Sequence, residues 1–217
     1  MNFKKVFDFL EDLNANNHKD WMDEHRSEYY EIKENLYQWL LEIDQELINI
    51  DPDYNPITSK KAINRINNNL LYHPHKPVYK DHFGMGLDQK PEKSDFYIHI
   101  GIHECFLAGG FYKPKKSQLD SIRDAIDYNG DQLVELMNDS EFKKHFGGLM
   151  NEERLIKPPK GFSKDHPHIE LLKNKSFAVQ KSLNKKTITS TKFKDSILET
   201  YSVMLPFRRY FNQAVSV

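Results

Sequence analysis

Residues 95–104 read DFYIHIGIHE, and this stretch decides the fold class. Its apolar side chains recur at every second position, which is the period of a β-strand with one face on a core. The apolar set is Phe96, Ile98, Ile100 and Ile102. The opposite set is Tyr97, His99, Gly101 and His103. One face of this strand is therefore predicted to pack, and the other face can carry chemistry.

Two more strand-like segments flank this stretch. They are HFGMGLD at 82–88 and CFLAGGFY at 105–112, and a further strand is predicted within SFAVQKS at 176–182. The connections between the first three segments are too short for the crossovers that parallel strands need. The sequence thus predicts an antiparallel meander in the middle of the chain.

Helical spacing dominates both ends of the chain. Apolar residues with helical spacing run through residues 3–13, and a long second helix is predicted from Asn17-His18 to about Asn49. Asp51-Pro52 should end it, because proline disfavours helical geometry in the preceding residue.

The helices after the meander are predicted from their end signals. One should run from Pro114 to Asn129-Gly130, followed by two short ones that end at Gly147-Gly148. Asp165 is expected to cap a short helix near PHIELLK, and Pro206 should kink or divide the last helix. The fold class is therefore predicted as α+β, with N-terminal helices, the meander, and C-terminal helices packed on the sheet. Residues 1–217 are expected to form a single domain.

Composition sets limits on location and chemistry. Cys105 is the only cysteine, so no intramolecular disulfide can form and a reducing compartment is expected. No apolar run approaches the ~20 residues of a membrane-spanning helix, and the N-terminus has no signal-peptide pattern. We therefore predict a cytoplasmic protein with no membrane association. The sequence leaves the oligomeric state open.

Charge is unevenly distributed along the chain, although its net value is only −1. Residues 1–53 hold 14 acidic and 5 basic residues, a net of −9, whereas residues 57–93 have a net of +4 and residues 153–186 a net of +6. Such asymmetry can attract anions to one side of a protein. The alternative is that the lysines only solvate loops.

Basic and polar residues in these two regions predict an anion-binding site. Guanidinium, ammonium and phenol groups are the usual donors to phosphates and carboxylates. The candidates are Arg65, Lys76, Tyr79, Lys80, His82, Lys157, His166 and Lys175. Alternatively, Arg65 and Lys175 pair with acidic residues of the N-terminal helices while Tyr79 packs.

Candidates for catalysis and metal binding are fewer. His82 or His99 could act as a general base, but no nucleophile can be named. Cys105 is expected to be a buried, inert thiol. His-Pro-His pairs at 73–75 and 166–168 could share a metal, yet no carboxylate or cysteine has persuasive spacing beside them. We therefore predict neither a metal nor a cofactor.

Several segments together resemble a family known as domain of unknown function 2461. These are FLEDLNANNHKDWMDEHRSEY at 9–29, KPVYKDHFG at 76–84, FYIHI with FLAGGFYKP, and above all IKPPKGFSKDHPHIELLKNKSF at 156–177. The resemblance covers nearly the whole chain and implies an α+β fold and a soluble protein, without an activity, cofactor or substrate. Family members tend to carry several arginines and an aspartate after the position of Arg65, and a serine and an aspartate before the lysine. This chain has Asn68, Asn69 and Leu71 in the first stretch, and His73 and His75 in the second.

Three functional hypotheses follow. The leading one is a protein that binds a small ligand bearing a phosphate or carboxylate, with enzymatic action on that ligand left open. The alternative is a nucleic-acid-binding module, because lysines interleave with aromatic residues, although the pI of 6.8 argues against a broad basic surface. The third is an interaction scaffold without a small ligand.

Overall fold

A computed structural model of the chain describes residues 1–150 and 154–215. Its helices before the sheet are α1 (Phe3–Ala15), α2 (Lys19–Glu24) and α3 (Arg26–Ile50), followed by a 3-10 turn, Lys60–Ala62. The strands are β1 (His82–Leu87), β2 (Asp95–Gly101), β3 (Cys105–Phe111) and β4 (Phe177–Leu183). The later helices are α4 (Lys116–Asn138), α5 (Ser140–Phe146), α6 (Ile169–Leu172), α7 (Lys185–Ile188) and α8 (Phe193–Ala214).

The four strands form one antiparallel sheet in the order β1-β2-β3-β4. Together with the order of the helices, this confirms the predicted α+β class. The chain divides into two compact units, the first comprising Met1–Asp88, Tyr97–Leu107 and Ser182–Leu198, and the second Gln89–Phe96, Ala108–Lys181 and Glu199–Val217. The assignment of residues 1–217 to one domain stays a prediction.

In the first unit, aromatic contacts hold α1 and α3 against β1. The predicted apolar stripe of α1 is buried, and Phe9 extends it. The rings of Phe9 and Tyr29 lie 6.4 and 6.2 Å from that of Phe83. Because Phe83 alternates with His82 and Gly84 along β1, the face of β1 that meets these helices is the apolar one.

The predicted single helix from Asn17-His18 to Asn49 is wrong, because the chain leaves helical geometry at His25. His25 has φ −101° and ψ 12°, and it separates α2 from α3. Its imidazole stacks on Trp21 with ring centroids 3.9 Å apart, and its Nδ1 lies 2.8 Å from the Trp21 carbonyl oxygen. The side chain thus contacts the preceding turn, while the apolar stripe resumes in register at Tyr29.

In the second unit, α4 continues through the point where the sequence predicted its end. Asn129 leaves helical geometry, with φ −142° and ψ 40°, but the helix resumes at Gly130. The Tyr210 hydroxyl donates to the carbonyl oxygens of Ala125 and Asn129 at 3.0 and 3.2 Å. Burial raises the pKa of Tyr210 to about 12. The His168 ring packs directly on Gly130, where a Cβ atom would overlap it, so the glycine leaves room for this ring.

Other helix ends also differ from the sequence predictions. Asp165 does not cap α6, because the helix begins later, with His168 at the N-cap position. The short helix α7 was not predicted; its N-cap is Asn184, which accepts from the Thr187 amide at 2.8 Å. Helix α8 runs through Pro206, so the proline does not divide it.

Strand β1 lies at the end of the strand order, and a short segment covers its outer edge. Ile63 forms an antiparallel bridge with Met85, and the Asn64 amide donates to the Gly84 carbonyl oxygen at 2.8 Å. This segment leads directly to the polar residues described below. Among the described residues, no helix has both the length and the apolar character needed to cross a membrane.

Candidate functional site

Residues 66–80 form a hairpin that precedes β1. Asn67 bridges Tyr79 in antiparallel fashion, and the amides of Asn68 and Lys80 donate to the carbonyl oxygens of Val78 and Ile66 at 2.9 and 2.8 Å. Beyond this pairing, residues 70–77 are exposed. The hairpin therefore brings the start of the segment, near Arg65, alongside Lys80.

Arg65 and Lys80 meet at the base of this hairpin, and Lys76, on its exposed part, is close enough to add to the positive charge around Lys80. We call Arg65, Lys76 and Lys80 the basic cluster. The Lys80 ammonium donates to the carbonyl oxygen of Arg65 at 2.6 Å. Burial lowers the pKa of Lys80, and the positive charges of Arg65 and Lys76 lower it further. None of the three forms an ion pair with an acidic side chain in the parts of the chain that the structure describes. The arrangement suits an anion, because opposite charge would relieve this mutual repulsion.

Tyr79 lies beside the cluster in sequence but is buried, with 5% of its surface exposed. The side chain of Asn17 holds its backbone from both sides: Nδ2 donates to the Tyr79 carbonyl oxygen at 3.0 Å, and Oδ1 accepts from the Tyr79 amide at 2.9 Å. This paired hydrogen bond ties the hairpin to the turn between α1 and α2. The anion-binding role of Tyr79 stays a prediction.

Three rings from adjacent strands stack on one another next to the hairpin. The ring of His99 lies between those of His82 and Phe106, at centroid distances of 4.1 and 4.5 Å and interplanar angles of 29° and 9°. We call His82, His99 and Phe106 the ring stack. These spacings approach the roughly 4.8 Å between neighbouring strands, so the stack runs across the sheet from β3 to β1.

His99 is enclosed by its neighbours in the stack. Only 7% of its surface is exposed, and the Tyr97 hydroxyl lies 3.3 Å from its Nδ1. Burial, and after it the positive charge of nearby His82, lower the pKa of His99 to about 4 against an opposing effect of Asp81. His99 is therefore neutral at neutral pH.

His82 has a different environment, because it sits at the open end of the stack. Its side chain is 25% exposed, and its Nδ1 lies 2.9 Å from Oδ1 of Asp81. Burial raises the pKa of Asp81, but the hydrogen bond and charge of His82 outweigh burial, so the net pKa is lowered. Because a carboxylate only accepts hydrogen bonds, the Nδ1 of His82 carries the proton in this contact.

Gly84 leaves room for two polar groups next to the ring stack. A Cβ atom at this position would overlap the Tyr97 hydroxyl and lie 3.0 Å from Nδ2 of Asn64. The Asn64 side chain is exposed, so its carboxamide is accessible beside the rings. A larger residue at 84 could not be accommodated without displacing Tyr97.

The remaining predicted ligand-binding residues belong to the second unit, whereas the basic cluster and the ring stack belong to the first. Lys157 is exposed and Lys175 is half-buried. His166 uses both ring nitrogens within its unit, with Nε2 2.8 Å from Asp127 Oδ1 and Nδ1 accepting from the His168 amide at 3.0 Å. The roles of these three residues in anion binding stay predictions.

The other sequence candidates concern thiol and metal chemistry. Cys105 is buried, its Sγ donates to the Gly101 carbonyl oxygen at 3.1 Å, and burial raises the pKa of its thiol. A search of the described residues gives no group of three or more His, Cys, Asp or Glu side chains that could hold a metal ion.

Sequence reasoning missed Asp81, Phe106 and Asn64 as members of this region. Asp81 directly precedes His82, so its proximity could have been noted from the sequence. Phe106 and Asn64 could not be found in this way, because their positions depend on which residues face each other across the strands.

A family model described as conserved hypothetical protein (DUF2461) matches residues 5–210. The chain belongs to the DUF2461 family. The match includes every residue of the basic cluster and the ring stack in this family member. Neither a curated protein nor a solved structure is significantly similar to it.

Proposed function

We propose that this DUF2461 protein binds a small ligand that bears a phosphate or a carboxylate, and that the basic cluster supplies the positive charge. The observation that carries the proposal is the Lys80 ammonium, which lies 2.6 Å from the Arg65 carbonyl oxygen while the charges of Arg65 and Lys76 act on it. Gathering like charges at a partly desolvated position costs free energy, and a bound anion would offset that cost.

The hairpin provides the rigidity that such a site needs. Lys80 is held at its amide by Ile66 and at its ammonium by Arg65, so two of its groups have fixed positions. A preorganised cation loses less conformational entropy when it binds a ligand than a free surface lysine does. Exposed lysines such as Lys4 and Lys116 are instead held by a carboxylate, which already offsets their charge.

If the bound ligand also reacts, His82 is the proposed proton acceptor. Asp81 fixes its tautomer, and the side chain reaches solvent. His99 is the weaker candidate, because its pKa of about 4 makes it a poor base and its ring is enclosed. Lys157, His166, Lys175 and Tyr79 remain further candidates for ligand contacts.

The test is stabilisation of the full chain by anions at constant ionic strength. Inorganic phosphate, pyrophosphate and citrate are titrated while the thermal midpoint is measured, with sodium chloride as the reference. The wild-type protein should be stabilised, and the Arg65→Ala/Lys80→Ala variant should lose most of that shift. Lys186→Ala/Lys192→Ala is the matched control, because it removes the same charge from exposed positions outside the cluster.

Two results would contradict the proposal. One is a wild-type midpoint that responds to these anions no more than to chloride. The other is an equal response in the Arg65→Ala/Lys80→Ala and wild-type proteins, which would place anion binding elsewhere on the surface.

A further inference from the structure

At its His82 end, the ring stack has a face that no other aromatic ring covers among the described residues. His99 is covered on both sides, by His82 and by Phe106. His82 is the last ring on the β1 side, and it stacks only on His99 in this region. Because the stack runs across the strands, a fourth ring in the same series would lie on the outer face of His82.

That position lies on the side of the sheet edge that carries the basic cluster. Beyond β1 comes the covering segment, in which Asn64 pairs with Gly84 and Arg65 follows directly. Lys80 precedes His82 by two residues, and the chain bends at Asp81 between them. A ring on His82 would therefore share this edge of β1 with groups that can hold an attached anion.

Polar groups for the edge of such a ring are also present. The Asn64 carboxamide is exposed and lies next to Gly84, where it offers both a donor and an acceptor. Amide side chains pair well with the donor–acceptor edges of nucleobases. The Tyr97 hydroxyl lies over the same glycine.

From this juxtaposition we propose that the ligand is a mononucleotide, with its base stacked on the outer face of His82 and its phosphate on the basic cluster. The inference rests on the proposed anion-binding function and specifies the class of ligand. Planar rings stack on aromatic side chains with little dependence on base identity, so the stack itself provides affinity for a base. Asn64 is the residue that would select among bases.

Titration calorimetry with AMP, adenosine, ribose 5-phosphate and inorganic phosphate tests the inference on the full chain. AMP should bind about 5- to 150-fold more tightly than ribose 5-phosphate, the range expected for stacking of one base. His82→Ala should remove this difference, because it should weaken AMP binding far more than ribose 5-phosphate binding. His82→Phe should retain the preference, since it keeps a ring at the same position, and it keeps the test valid if His82→Ala does not fold.

The results separate this inference from the proposed function. Equal affinities for AMP and ribose 5-phosphate in the wild-type protein would overturn the nucleotide inference and leave anion binding intact. Failure of all phosphate compounds to bind would overturn both. An AMP preference that persists in His82→Ala would also contradict the inference, because the base would then bind elsewhere.

An oligonucleotide control addresses nucleic acid as the alternative ligand. A single-stranded oligonucleotide of eight nucleotides should bind no more tightly per site than AMP. Its affinity should depend only weakly on salt concentration. Binding of the oligonucleotide with a steep salt dependence, in the absence of AMP binding, would overturn the mononucleotide inference in favour of a nucleic-acid surface.

Discussion

The imidazole of His82 lies on that of His99, with ring centroids 4.1 Å apart and planes inclined by 29°. Only one of the two rings reaches solvent and a carboxylate, so the same side-chain chemistry has two roles. His82 is the proposed proton acceptor beside Asp81, whereas His99 is an enclosed ring between its neighbours with a lowered pKa. This difference in environment can be measured.

The first prediction concerns pH and His99. Its folded pKa of about 4 lies below the ordinary value of 6.5, so the unfolded chain binds a proton that the folded chain refuses. Stability should therefore decrease as pH falls from about 6.5 towards 4, by about 1.4 kcal/mol per unit within that window. Urea unfolding at pH 6.5 and 5 should show a loss of about 2 kcal/mol attributable to this residue.

His99→Phe is the control for that measurement, because it preserves a ring in the stack and removes the titration. Between pH 6.5 and pH 5, the unfolding free energy of His99→Phe should fall by about 2 kcal/mol less than that of the wild-type protein. Asp81, whose pKa lies below 3.8, affects stability only at lower pH. An identical pH dependence in both proteins would contradict the assignment.

The second prediction concerns Gly84. Gly84→Ala should destabilise the protein by about 1–3 kcal/mol, because the added methyl group overlaps the Tyr97 hydroxyl. In a Tyr97→Phe background the hydroxyl is gone, and the same substitution should cost less. Chemical unfolding of the four proteins of this cycle gives the coupling free energy. If the free-energy changes of Gly84→Ala and Tyr97→Phe are strictly additive, the Tyr97 hydroxyl does not limit the size of residue 84.

The third prediction concerns the link between Asn17 and Tyr79. Asn17→Ala leaves the partly buried amide and carbonyl of Tyr79 without their partner, at a cost of about 1–3 kcal/mol. Asn16→Ala is the matched control, since the Asn16 side chain makes one exposed hydrogen bond, to the Asp12 carbonyl oxygen. Equal free energies of unfolding for the two variants would mean that the paired hydrogen bond contributes nothing specific.

The fourth prediction concerns the kink in α4. Alanine normally stabilises a helix by up to about 1 kcal/mol relative to glycine, but Gly130→Ala should destabilise this one because its Cβ meets the His168 ring. In a His168→Ala background the clash is absent, and Gly130→Ala should become neutral or stabilising. The sign change in the unfolding free energy is the observable, and its absence would refute the packing argument.

Regular patterns in the sequence predicted the fold better than they predicted the site. The alternation in DFYIHIGIHE is strict, so the strand and its polar face followed directly. The break at His25 was missed, because the apolar stripe keeps its register on both sides of it. Asn129-Gly130 was interpreted as an end, since a kink and a helix end share the same local signals.

The site depends on relationships that a single sequence does not contain. Arg65 and Lys80 meet because of the register of the hairpin. The pairing of β1 with β2 determines which β1 side chain lies beside His99. A shift of one residue in that pairing would place Phe83 beside His99 instead of His82. The polar residues could be named individually, but their stacking order could not.

The segment that covers β1 has a consequence for the behaviour of the protein in concentrated solution. An outermost strand with unsatisfied amides and carbonyls is a template on which further chains can add, which leads towards fibrils. Ile63 and Asn64 already occupy part of that template. Asn64→Pro would remove the hydrogen bond from the residue 64 amide to the Gly84 carbonyl oxygen. The variant should therefore self-associate more readily through this edge of the sheet.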